Sequence, residues 1–256
     1  MKLAIMQPYF MPYIGYFQAI HAVDKYILYD NLTFIKDAWI NRNRLLLCNG
    51  TVTTFSVPLI AKSSYTKILD TRIDNSQKWA QKLLKTIFLN YKKASYFDEV
   101  FPLLEEILNN QCVFLSELNV LAIKTIAEFL SIDTVIEHNV SKYISIEDNL
   151  LLVDKQDYSP FPYLEKTKPI KKVARVIEMC KAEGATSFIN AIGGQSLYNQ
   201  KEFAMYGIDL KFVQTDESLK YKQFSQEFTL NLSIIDVLMH NGKEGTQELL
   251  NKYTLI

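Results

Sequence analysis

The chain opens with a strand, a helix and a second strand in immediate succession, and that order leaves few folds available to it. Lys2 to Gln7 is a short apolar run ended by Pro8, as a buried strand would be. Ile14 to Val23 then places Phe17, Ile20 and His21 on one helical face. Tyr26 to Tyr29 is a second β-prone run, closed by Asp30-Asn31. A β-α-β unit of this kind carries a parallel pair of strands. Ligands of such sheets collect beyond the carboxyl ends of the strands. The polar clusters after Met6 and after Tyr29 both fall there.

Asn49-Gly50 sits between the runs Arg44 to Cys48 and Thr51 to Val57. It predicts a hairpin on a type I′ turn, which needs positive φ twice. Apolar residues recur at helical spacing through Trp79–Tyr91, Phe97–Leu108 and Cys112–Leu130, which predicts a layer of about three helices. Lys171 to Glu183 reads as a helix stopped by Gly184, and Thr186 to Ile189 as a strand. Ser196 to Tyr206 reads as a helix stopped by Gly207, and Ile208 to Val213 as a strand, giving a second β-α-β unit. Ser233-Ile-Ile-Asp236 fits a capping box, and Asn241-Gly242 a helix stop. The proline-bearing stretch from Asp157 to Pro169 is the expected connector. The fold class is therefore α/β: a Rossmann-like, mostly parallel sheet with a β-hairpin and a helical insertion. A single domain is expected over residues 1–256, with its core at about 1–75 and 131–256 and the insertion at about 76–130.

Lys and Arg number 28 against 28 Asp and Glu, so bulk charge does not point to a nucleic-acid partner. Cys48, Cys112 and Cys180 are widely spaced and read as reduced thiols packed as small apolar groups. The start has too short an apolar run for a signal peptide, and no segment reaches a membrane span. A cytoplasmic protein without membrane insertion is expected. Three scattered histidines give no zinc set, so no metal is expected. His21 and His138 show no Cys or Ser partner in the sequence pattern and read as packing or surface residues.

Four segments carry candidate chemistry. In the first loop, Pro8 and Pro12 stiffen the turn and Gly15 opens close approach at a helix start, whose free N–H groups suit a phosphate or carboxylate. The same residues also suit a rigid turn packed by aromatic rings. The second segment holds Asp30, Lys36, Asp37, Trp39, Asn41, Arg42, Asn43 and Arg44. Arg42 or Arg44 can grip an anion bidentately, Lys36 adds a point charge, Trp39 can stack on a sugar or base, and Asp30 can take a proton or bind an amine. A solvated loop anchored by one tryptophan explains them equally well. The third segment is Asn190 to Ser196, where Gly193-Gly194 allows a backbone near a ligand. The fourth runs from Tyr221 to Gly242, where capping explains Ser233 and Asp236 but leaves Gln223, Gln226 and His240 over.

Taken together, QPYFMPYIGYFQAI, DKYILYD, KDAWINRNR and YKQFSQEFTLNLSIIDVLMHNG resemble the WbqC-like protein family, in order and over almost the whole chain. The resemblance implies a cytoplasmic bacterial protein of surface-polysaccharide (O-antigen) biosynthesis. It carries over to Gln7, Pro8, Pro12, Gly15, Tyr16, Asp30, Lys36, Trp39, Arg42, Gly193, Gln223, Ser233, Asp236, Asn241 and Gly242. Tyr13 stands where a tryptophan is usual, and Phe188-Ile189-Asn190-Ala191 replaces a Tyr-x-Ser-Gly. The resemblance supplies this context rather than a reaction; within it, the activity expected from the candidate residues is acyl or aminoacyl transfer to a nucleotide-linked amino sugar, which needs no covalent nucleophile. Acyl-coenzyme A, a carrier protein or an aminoacyl donor would supply the group. Asp30, Arg42 and Lys36 are the expected catalytic residues. Gln7, Tyr16, Trp39, Gly193, Gln223, Ser233, Asp236 and Asn241 are the expected substrate contacts. A nucleotidyltransferase-like enzyme and a non-catalytic sugar- or nucleotide-binding accessory protein remain the alternatives, with a homo-oligomer or biosynthetic complex as the setting.

Overall fold

A computed structural model describes residues 1–60, 65–153, 161–164 and 170–256. Its elements run β1 (Lys2–Met6), α1 (Ile14–His21), β2 (Lys25–Leu28), β3 (Arg42–Leu46), β4 (Val52–Ser56), α2 (Trp79–Tyr91), α3 (Phe97–Asn109) and α4 (Leu115–Phe129). There follow β5 (Val135–Glu137), α5 (Ile144–Val153), α6 (Ile170–Ala182), β6 (Ser187–Ala191), α7 (Gln200–Ala204), β7 (Asp209–Thr215), α8 (Ile234–Leu250) and β8 (Tyr253–Leu255).

The main sheet has the order β5-β2-β1-β6-β7-β8, and every neighbouring pair is parallel except β7 with β8. Side chains that alternate along each strand feed a separate core on each face. Ala4, Tyr26, Leu28, Ile189 and Val213 point into one core, with α1, α8 and the α2–α4 layer. Leu3, Ile27, Phe188, Leu210 and Phe212 point into the other, against α6. This two-sided burial is why the strands read as nearly continuous apolar runs.

Strand order reverses at β1. From there the chain builds outward through β2 and β5, then returns to build β6 and β7 on the other side. The β1–β6 ladder registers only Lys2↔Ser187 and Leu3↔Phe188, whereas β6–β7 registers from Ser187↔Asp209 to Ala191↔Val213. The carboxyl ends of β1 and β6 are therefore unpaired with each other, at the place where doubly wound sheets open a crevice.

Several expectations need correction. The hairpin exists, but its connection is longer than a two-residue turn. Leu47 N–H donates to Thr51 O and Gly50 N–H to Leu47 O, and only Gly50 has positive φ, at 80°. One positive-φ residue, Gly50, makes the bend and Asn49 is not at positive φ, so the turn is not type I′. Ser196 to Tyr206 is not one helix: a 3-10 stretch, Ile192–Ser196, precedes the short α7, capped by Asn199. The helix stop at Asn241-Gly242 is present: Gly242, at φ 61° and ψ −163°, ends the first part of α8, and a second helical part follows it to Leu250. Asp236 does not close a capping box: Ser233 N–H donates to Arg44 O, and the carboxylate points elsewhere. Cys48 is exposed at the hairpin tip rather than packed. Of the expected connector, the described residues include only 161–164.

Candidate functional site

The first loop is held through its carbonyls. Gln7 O accepts from the Tyr16 hydroxyl at 2.9 Å, and Pro8 O from the Asn119 amide at 2.9 Å. The Asn43 amide donates to Phe10 O at 3.2 Å and to Met11 O at 2.7 Å. The Ser233 hydroxyl donates to Met11 O at 2.8 Å, and Ile234 N–H to Pro12 O at 2.9 Å. Met11 has φ 45°, a conformation that a side-chain-bearing residue keeps only when its surroundings impose it. Asn43 comes from β3, Asn119 from α4 and Ser233 from the start of α8. Three distant parts of the chain thus shape the turn after β1.

Beside it, at the carboxyl ends of β2 and β5, lies a buried acid with two partners. Asp30 is 2% exposed. Its Oδ2 accepts from the Ser116 hydroxyl and stands 2.9 Å from His138 Nε2. Ser116 Oγ is also 3.3 Å from the same ring nitrogen. Asp30 Oδ1 is buried and makes no hydrogen bond among the described residues. The His138 side chain is 32% exposed, so the imidazole bridges the buried carboxylate and solvent. Ser116, at 2% exposure, is closed off and serves the carboxylate. With Nε2–H donated to Asp30, Nδ1 is the nitrogen left to accept a proton.

A second buried acid lies in α8. Asp236 accepts from the Tyr91 hydroxyl at Oδ1 and the Tyr221 hydroxyl at Oδ2, each at 2.7 Å, and from the Gln223 amide at 3.3 Å. Burial pushes its carboxyl above the ordinary aspartate range, although Tyr221, Tyr91, His240 and Gln223 all pull the other way. His240 meets Phe224 edge to face, with ring centroids 4.6 Å apart, and burial pushes its imidazole down against the pull of Asp236. Gln223 also ties the following loop, giving a bond to Thr229 O and taking one from Thr229 N–H. The cluster joins α2, α8 and the 221–229 loop, and its His240 Nε2 is buried with no hydrogen bond among the described residues.

The third group is exposed. Arg42 and Arg44 both approach the Trp39 ring, their guanidinium carbons 5.5 and 5.6 Å from its centroid. Arg42 pairs with Asp37 at 3.2 Å, and Arg44 donates to Leu230 O and Asn231 O. Lys36 is exposed and has no partner among the described residues. Gly193 faces open space, whereas Gly194 lies against the Asn190 side chain. Asn241 donates to Val237 O on its own helix at 2.7 Å. The Gln7 side chain is half-buried and makes no hydrogen bond among the described residues, and the buried Tyr16 spends its hydroxyl on Gln7 O.

The expected site residues fall around three centres, Asp30, Asp236 with Gln223, and Trp39 with Arg42, while Gln7, Tyr16, Lys36, Gly193 and Asn241 make no side-chain hydrogen bond to any of them among the described residues. One backbone bond links two of the centres: Ser233 N–H, at the start of the helix that carries Asp236, donates to Arg44 O beside Trp39. His138, Ser116 and Asn119 were not singled out as candidates in the sequence. One signal was available for His138: it directly follows a β-prone Val-Ile-Glu, as Asp30 follows Tyr26 to Tyr29.

The profile of the WbqC-like protein family matches residues 7–248. The chain belongs to that family. A similar protein, the uncharacterized protein Rv1507c of Mycobacterium tuberculosis, is 28% identical over 250 residues, covering 97% of each chain. No solved structure matches the chain significantly. In this WbqC-like protein the matched span contains all three groups and every tie on the first loop. Among the described residues, no helix is long and apolar enough to cross a membrane.

Proposed function

We propose that this WbqC-like protein transfers an acyl or aminoacyl group to the amino group of a nucleotide-linked sugar in surface-polysaccharide synthesis, with His138 and Asp30 at the reacting centre. The observation that carries the reading is the solvent-reaching imidazole backed by a buried carboxylate, at the carboxyl ends of two parallel strands. With a thioester donor, the amine lone pair attacks the acyl carbon. A C–N bond forms, the C–S bond breaks, and the amine proton passes to His138 Nδ1 and then to the leaving thiolate. Asp30 steadies the imidazolium through Nε2–H, and Ser116 holds the carboxylate in place. No covalent enzyme intermediate is needed, which suits the burial of Ser116. Trp39 offers a stacking face, while Lys36 and Arg42 suit a diphosphate, Arg42 by giving up Asp37. Gln7, at the open end of β1, is an amide free for a sugar hydroxyl.

The test is incubation with nucleotide amino sugars and acyl-coenzyme A or aminoacyl donors, followed by mass spectrometry of the sugar. A mass gain equal to the acyl group is expected. His138→Gln and Asp30→Asn should each lower turnover by about 10²–10⁴-fold with the fold retained. Unchanged turnover in His138→Gln would remove the histidine from the reaction. Sugar-nucleotide binding without product for any donor would instead support an accessory binding protein.

A further inference from the structure

The two edges of the hairpin differ. Leu47 N–H to Thr51 O and Val57 N–H to Asn41 O, both 2.8 Å, bound a ladder registered from Leu46↔Val52 to Arg42↔Ser56. Alternation in an antiparallel pair then makes Asn43–Phe55 and Leu45–Thr53 the bonded pairs. The backbone groups of Arg44 and Leu46 therefore point away from β4, and those of Thr54 and Ser56 point away from β3. The outer groups of β3 are served: Arg44 N–H by Asn43 Oδ1 at 2.9 Å, Arg44 O by Ser233 N–H at 3.0 Å, and Leu46 N–H by the Tyr91 hydroxyl at 3.2 Å. Thr54 and Ser56 have no such partner among the described residues.

This bare edge borders an open cleft of about 310 Å³ between the hairpin and the first half of α2. Phe55, Trp79 and Leu83 give it an apolar side. Thr53 and Lys82 also line it, and neither side chain has a hydrogen bond or ion pair among the described residues. Pro58, which has no N–H, lies two residues beyond Ser56, so the bare edge is too short to seat an added strand. We propose that the cleft binds a small polyhydroxylated ring carrying one anionic group, a sugar phosphate or sugar carboxylate. Outward N–H and C=O groups match hydroxyls that both donate and accept, the aromatic side takes a ring face, and Lys82 takes the charge. The site shares no residue with the Asp30–His138 centre, so the two proposals fail separately.

The test reads binding alone. Trp39→Phe leaves Trp79 as the reporter of the cleft, since the chain has 2 tryptophans. Its emission is followed during titration with glucose 6-phosphate, glucuronate, glucose and inorganic phosphate. At least one anionic sugar should saturate the signal, about tenfold more tightly than glucose or phosphate. Lys82→Met should abolish that preference. Thr54→Pro, which removes an N–H the ladder does not use, should weaken binding while circular dichroism stays unchanged. Absence of saturation by either anionic sugar, glucose binding as tightly as they do, or an unaltered preference in Lys82→Met would overturn the proposal.

Discussion

Asn43 and Ser233 serve the same carbonyl, and that shared duty dictates how their removal must combine. Met11 O receives the Asn43 amide at 2.7 Å and the Ser233 hydroxyl at 2.8 Å, and both Phe10 and Met11 are 0% exposed. Ser233→Ala removes one of these donors and the cap of α8, where Ser233 Oγ accepts from Ile235 N–H. A loss of about 1–2 kcal/mol is expected, since an N-cap is worth roughly 1 kcal/mol. Asn43→Ala removes the other donor and also the side-chain donor of Phe10 O. A buried carbonyl left unpaired costs roughly 1–3 kcal/mol, so about 2–3 kcal/mol is expected here. After either change Met11 O still has one donor; after both it has none. The double variant should therefore fall below the sum of the singles by about 1–2 kcal/mol. Urea unfolding followed by circular dichroism measures the cycle, with an unchanged slope as the check that the same surface is exposed. Additivity within about 0.5 kcal/mol would refute the reasoning, because Met11 O would then have another source of hydrogen bonds.

The remaining predictions concern ionisable groups away from the loop. Burial raises the Glu183 carboxyl, but Lys142, Lys25 and Tyr143 outweigh it and hold it down from 4.5 to about 2. A carboxyl lowered on folding contributes stability that is complete above the ordinary value and lost as pH falls through the folded one. The urea midpoint should therefore drop between about pH 4.5 and 2, and Glu183→Gln should flatten that part of the profile; an unaltered profile would exclude the cluster as its source. Cys48 is exposed, whereas burial and then Glu183 push the Cys180 thiol up to about 12. An aromatic disulfide reagent should titrate Cys48 in the native protein and reach Cys180 only after unfolding; fast native labelling of Cys180, located by peptide mapping, would contradict its burial.

What the sequence made legible was whatever depends on neighbours along the chain. Apolar runs ended by Pro8 and Asp30 gave the first parallel pair, helical spacing gave α2 to α4, and Gly184 at φ 64° ends α6 as its position suggests. Three-residue strands such as β5 and β8 carry too little pattern to be seen. The corrections arise where distant contacts override local chemistry. Asp236 has the spacing of a capping box, but Tyr91, 145 residues earlier, claims the carboxylate. Asn241-Gly242 has the composition of a helix stop and acts as one, but its composition does not show the second helical part that follows, where Glu99 of α3 accepts from Lys243 N–H. The pairing of Asp30 with His138 and Ser116 spans 108 and 86 residues, so it takes the β2–β5 pairing to bring His138 and the packing of α4 to bring Ser116. Asn43 was visible as one polar residue among eight, and nothing in its surroundings announced that it faces inward to the first loop.

The ties on that loop also bear on the order in which the molecule can be made. A ribosome adds about 5–20 residues per second. The hydroxyl that closes Met11 O lies 222 residues downstream, so on the order of ten to forty seconds separates synthesis of the loop from synthesis of its last fastener. Throughout that interval Met11 O can draw on the Asn43 amide, 32 residues downstream, but not on the Ser233 hydroxyl that completes its pair of donors. The first segment to leave the ribosome is thus among the last to be fully tied, and a nascent chain stalled before Ser233 would carry the family's N-terminal motif without its last fastener.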